Sequence, residues 1–291
     1  MYSGSIPLYH MRMSLLLLAP AVIAFPKPPD YSVLSRRIAR SQSDEEIIKV
    51  LFLDAMLPRQ RVQLQFAPPV STVLSDIRDS GECLAVCGLD QRTGRFLRHG
   101  VEARIESMSP YRASQGFFSS HSTTPMRGFT ALDTTLVGGK RCEVLEPAAE
   151  QWPPDRPIFE AKVRWLPSEK GTAAATVRAE SLEELVDEWL ELVRTGGRER
   201  EPLQITRVLC DLGPMPDAED ADDRALWVAA LINPLPALGV SREIRPAVLE
   251  AADGLARVNV VHEALTDSIG RLRRNPPGPF EVEPPPKRRG S

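Results

Sequence analysis

The stretch that decides the fold is residues 49–77, KVLFLDAMLPRQRVQLQFAPPVSTVLSDI. It opens with an apolar run that breaks at Leu57-Pro58 and resumes as an alternation. Val62, Leu64 and Phe66 then fall on one face, and Arg61, Gln63 and Gln65 on the other, which is the period of a half-buried strand. Pro68-Pro69 suit the first turn of a helix, where no backbone N–H is needed. Val70, Val73, Leu74 and Ile77 follow at helical spacing until Gly81. Two short strands, a proline corner and a helix, with no residue of obvious chemistry, read as the entrance to a scaffold.

The same periods continue downstream. ECLAVCGLD (82–90) is an apolar strand, QRTGRFLRHG (91–100) reads as a hairpin-like connection with Gly94 and Gly100, and VEARIESMS (101–109) alternates to bury Val101, Ala103 and Ile105. GFTALDTTLVGGKRCEVLE (128–146) reads as two strands joined by Gly138-Gly139, a short-hairpin signal. PIFEAKVRWLP (157–167) alternates Phe159, Ala161, Val163 and Trp165 against Ile158, Glu160, Lys162 and Arg164. About six strands at short spacing suggest a small barrel-like closed sheet.

Near Ser181 the period changes. Ser181 and Glu184 form a capping box before an apolar stripe of Leu182, Leu185, Val186, Trp189, Leu190 and Val193, ended by Gly196-Gly197. Helical patterns follow at 204–213, at 220–232, and over 242–273 as two helices meeting near Asp253-Gly254. Strands first and helices second make an α+β chain: a six-stranded barrel-like half, then a helical bundle. The expected divisions are 1–45 presequence, 46–168 β-rich, 169–273 helical, and 274–291 a Pro-rich basic tail.

Composition bounds the function. A chain of 291 residues, 42% hydrophobic and 26% charged, is that of a globular protein, and its formal net charge of -3 gives no general attraction to nucleic acid. Cys83 and Cys87 on one strand would lie roughly 13 Å apart at about 3.3 Å per residue, beyond the reach of about 7 Å for a disulfide. They read as buried small apolar residues, and the domain as one for a reducing compartment. No metal, cofactor or nucleotide motif occurs: there is no GxxxxGK[ST], GxSxG, HExxH or GxGxxG. His10 lies in the presequence, His121 in a Ser/Thr-rich loop, His99 in a turn and His262 on a helix surface, so no catalytic set is proposed. The acids of DAEDADDR (217–224) read as a solvated, cap-rich helix start rather than a metal site.

Residues 1–45 differ from the rest. SLLLLAPAVIA (14–24) is a compact apolar core, too short to span a bilayer comfortably, with a signal-peptidase-like junction before Phe25. The Ser/Arg-rich stretch 25–43, with Asp30 its one acid, has transit-peptide composition. Together they resemble two-part plastid presequences, so the expectation is plastid delivery with no stable membrane anchor after processing. A disordered extension, or a wrongly chosen start codon on a cytoplasmic protein, is the alternative.

The ordered series VLFLDAMLPRQRVQLQF, CLAVCGLDQRTG, HGVEARIESMSP, GFTALDTTLVGGKRCEVLE and FEAKVRWLP, followed by LWVAALINPLPALGVSREIRPAVLEAADGLARV, resembles the Lon substrate-binding domain over about residues 46–273. The sequence departs from that family at Arg59, where Gly is usual, and at FAPPV, which replaces a Phe-Glu-Pro-Arg-Tyr type helix entry. A longer loop (109–128) is inserted between two strands. The 291 residues hold no AAA+ module and no Ser-Lys peptidase domain, nor the RING cysteines and zinc-bound ligand domain of some eukaryotic members.

The resemblance implies a non-enzymatic, cofactor-free module that engages unfolded or extended polypeptide, or a protein partner such as a protease or ATPase, in plastid protein quality control. Phe117 and Phe118 in the inserted loop are the candidate contacts. An adaptor subunit of a separate protease, and a hydrolase with an unrecognised site, are the alternatives. Trp165, Trp189 and Trp227 read as anchors between the halves.

Overall fold

The computed structural model describes residues 45–90, 95–110, 131–146, 157–168 and 170–274. The calls on 1–44, on Phe117 and Phe118, and on the tail after 274 fall outside these residues. The chain forms β1 (Glu45–Phe52), β2 (Arg61–Phe66), α1 (Val70–Ser80), β3 (Leu84–Asp90), β4 (Arg95–Pro110), β5 (Leu132–Glu146) and β6 (Ile158–Leu166). There follow α2 (Ala173–Glu180), α3 (Leu182–Thr195), α4 (Gln204–Leu212), a short 3-10 turn, α5 (Ala221–Ile232), α6 (Arg245–Glu250) and α7 (Gly254–Arg274).

The strand order is β2-β5-β4-β3-β1-β6, and β5 also pairs with β6. That extra pairing closes β5, β4, β3, β1 and β6 into a five-stranded barrel and leaves β2 outside the ring. The α+β expectation therefore holds, with five of the six strands in the closed ring. Alternation decides what fills it: Ile48, Val50, Ala85, Cys87, Cys142, Val144, Ala161 and Val163 form one buried cluster. Phe52 lies against it, its ring 4.1 Å from Phe96 and 5.0 Å from Phe159. The intervening residues, such as Leu51, Leu84, Val86 and Leu136, join a larger core that runs through α1 into the helices.

One strand does the work expected of two. Gly138-Gly139 is no hairpin but the middle of β5, whose first half pairs with β2 and second half with β6. Glycine inside a strand marks a bend at a barrel corner. A Cβ on Gly138 would stand 2.3 Å from the Leu57 carbonyl oxygen, and one on Gly139 2.5 Å from the Glu102 carboxylate. Likewise Gly100 and His99 are not in a turn; β4 begins at Arg95 and runs through both. Gly100 lies between Cys87 and Cys142 in register, and a Cβ there would meet the Val86 carbonyl at 2.3 Å.

The helical half follows its sequence more closely. Leu182, Val186, Trp189 and Val193 are buried as the stripe requires, and α6 and α7 meet at the Asp253-Gly254 break. The capping box is not formed. Ser181 has helical dihedrals and its hydroxyl donates to the Arg178 carbonyl, because α2, which the sequence reading missed, runs directly into α3. Trp189 donates its indole N–H to Ser268 and Trp227 to the Gly213 carbonyl. Both bonds stay within the helical half, and Trp165 packs on the barrel cluster.

Candidate functional site

The proline corner joins barrel to helices. Arg59 adopts a left-handed φ of 65°, which glycine would take without strain. Its guanidinium reaches the Leu212 and Pro214 carbonyls at the end of α4, both at 3.4 Å. Gln60, nearly fully buried, accepts from the Leu57 amide at 2.9 Å. It donates to the Asn233 carbonyl at 2.9 Å and to that of Ala230 at 3.3 Å. Two side chains from one turn thus satisfy carbonyls that the ends of α4 and α5 leave open. Asn233 in turn accepts from the Ile244 amide and donates to the Arg242 carbonyl.

A second clasp corrects the reading of DAEDADDR. Asp222 is not solvated but fully buried, between Arg141 of β5 at 2.8 Å and Arg257 of α7. Arg257 also donates to the Ala251 carbonyl at 3.0 Å. A third contact ties β4 to α6: the His99 backbone N–H donates to Glu250 at 3.1 Å, and the His99 ring lies 3.0 Å from the same carboxylate. Burial alone would raise the Glu250 carboxyl, yet the bonds from His99 outweigh it and hold the carboxyl below its ordinary range. Burial and the nearby Arg178 cation lower the His262 ring, whose Nδ1 accepts from Arg178 at 3.0 Å.

No described cluster of three or more His, Cys, Asp or Glu is placed to hold a metal. Cys87 is buried in the barrel beside Cys142, and that neighbouring thiol together with burial pushes the Cys87 thiol well up. Both are free thiols. Cys83 precedes β3 and is half-buried, so of Cys83 and Cys87 only Cys87 is the buried small residue expected from the sequence. A shallow cavity of about 180 Å³ beside Ile47, Lys49, Cys83 and Glu160 is smaller than the roughly 300 Å³ at which ligand pockets begin.

What remains is the strand outside the ring. Among the described elements β2 pairs with β5 alone and packs extensively on no other. The Gln60 carbonyl accepts from the Gly138 amide at 2.8 Å, which fixes the parity of the ladder. Val62, Leu64 and Phe66 therefore turn their amides and carbonyls toward β5. Arg61, Gln63 and Gln65 turn theirs to the open side.

Natural edges are blunted by lysine, proline, bulges or shortness. The six residues of β2 contain no lysine and no proline, and their pairing with β5 runs without a register shift. Their single charge, Arg61, is held back against Glu106 at 2.6 Å and Asp211 at 3.4 Å. The side chains of Gln63 and Gln65 are exposed, while Val62 and Phe66 pack on the core. At the far end Phe66 pairs with Leu132, which pairs with Pro110. Pro110 and Leu132 thus both lie beside the Phe66 end of β2.

No family model matches the sequence, and no curated protein matches it. Among solved structures, the chain is similar to the N-terminal domain of the Mycobacterium avium complex Lon protease. The two share 15% identity, the match covers 76% of this chain and 99% of that one, and the TM-score is 0.47. It is also similar to a Lon N-terminal domain protein from Xanthomonas campestris, at 15% identity over 75% and 98% of the two chains with a TM-score of 0.45.

Proposed function

We propose that this chain is a non-catalytic module that takes up extended polypeptide by adding it as a strand to the open edge of β2. The observation that supports this reading is the unblunted run Arg61–Phe66, with three residues facing outward and the opposite ladder fully paired. Strand addition draws affinity from backbone hydrogen bonds and selectivity from alternate side chains. Such a site accepts many sequences, which suits recognition of unfolded chains. The clasps at Arg59, Gln60 and Asp222 hold the helices against the barrel, so the edge is presented by a rigid body.

The test exploits parity. The Gln63 N–H faces outward, so Gln63→Pro removes one edge donor without breaking the ladder to β5. Binding of a permanently unfolded, fluorescently labelled polypeptide is measured by anisotropy, with thermal melting as the control on folding. The expected result is at least tenfold weaker binding with an unchanged melting temperature. Equal affinity in a folded Gln63→Pro protein would place the site elsewhere.

A further inference from the structure

The edge of β2 is complementary to itself, and we propose that in the absence of polypeptide it pairs antiparallel with β2 of a second copy of this chain, about a twofold axis through Gln63. The inference rests on the open edge assigned above. In an antiparallel pair, residues directly opposite share a face. Only registers that pair odd with odd positions therefore keep the apolar side continuous. Centred on Gln63, the pairing sets Val62 against Leu64, Arg61 against Gln65, and Gln63 against its own symmetry mate.

All three outward-facing residues then exchange both of their bonds, six in total, by the alternation of the ladder. Centring on Val62 or Leu64 leaves one outward-facing residue without a partner and cuts the total to four. Centring on Arg61 sets two guanidinium groups against each other, which is destabilising. In the favoured register no like charges face one another. Arg61, already drawn toward Glu106 and Asp211, meets a neutral glutamine. Such an isologous contact closes at two subunits and consumes both edges, which leaves no edge for growth into fibres. A bound polypeptide and the second copy compete for the same donors and acceptors.

Sedimentation equilibrium of the full chain over a wide concentration range tests the proposal. The weight-average mass is expected to rise toward twice the monomer value and to return to it on dilution. Gln63→Lys and Gln63→Glu each set like charges across the axis, so each alone is expected to stay monomeric. An equimolar mixture of the two is expected to form a heterodimer at least tenfold tighter than the unsubstituted dimer.

Wild-type protein that stays monomeric throughout, or a dimer that neither substitution weakens, overturns the proposal. Polypeptide binding is read separately, below the dimerising concentration. A protein that is monomeric at every concentration yet binds polypeptide in a Gln63→Pro-sensitive way sinks the dimer alone. A dimer whose polypeptide binding ignores Gln63→Pro sinks the strand-addition reading alone.

Discussion

At the scale of the residue, position 59 shows a chain trading strain for contacts. The φ of 65° suits glycine, and a side chain there costs on the order of 1 kcal/mol. Arg59 offsets this with two long bonds to the end of α4. Arg59→Ala keeps the strain and loses the bonds, whereas Arg59→Gly loses both together. The glycine variant is therefore expected to be the more stable of the two by about 1 kcal/mol in urea unfolding, and equal stabilities would contradict the dihedral argument.

Asp222 carries more. Asp222→Ala leaves two buried guanidinium groups without their shared carboxylate, and a loss of about 3–5 kcal/mol is expected in the same measurement. Arg59 could be flagged from the sequence, since a corner after proline favours glycine. Asp222 could not. Acids at a helix start are normally solvated, and its partners lie 81 and 35 residues away along the chain.

At the scale of the element, what was legible was what depends on period alone. The alternation of β2 and the stripe of α3 are each written into a single segment, and each was found where its pattern placed it. The glycine pair in β5 was misread because a hairpin and a barrel corner ask the same thing of the backbone locally. Only the approach of the Leu57 carbonyl, from 81 residues earlier, separates the two.

The pairing of β4 with α6 predicts a pH dependence. Glu250 titrates below its ordinary range in the fold, so it contributes stability at neutral pH, above the unfolded value near 4.3. That contribution is lost as the pH falls through the lower, folded value. Glu250→Gln is expected to remove this part of the acid slope, so wild type and variant converge as the solution is acidified below about pH 4. A constant difference from pH 7 to pH 3 would show that His99 does not hold the carboxylate.

At the scale of the whole molecule, closure of the ring is what creates the site. Five strands satisfy one another around the barrel, and among the described residues the sixth has one paired side and one open side. The sequence placed the strands ahead of the helices. It did not supply which strand would be left over, because that depends on β5 bending far enough to meet β6. With the helices clasped to the barrel, the outward amides of Arg61, Gln63 and Gln65 are where we propose that another chain adds. Hydrogen–deuterium exchange, on protein dilute enough to be monomeric, reads those amides one by one with and without a saturating unfolded polypeptide. The account predicts slow exchange at Val62, Leu64 and Phe66 in both states, and slowing at Arg61, Gln63 and Gln65 only when polypeptide is bound. Fast exchange at those three amides in the saturated complex would contradict it.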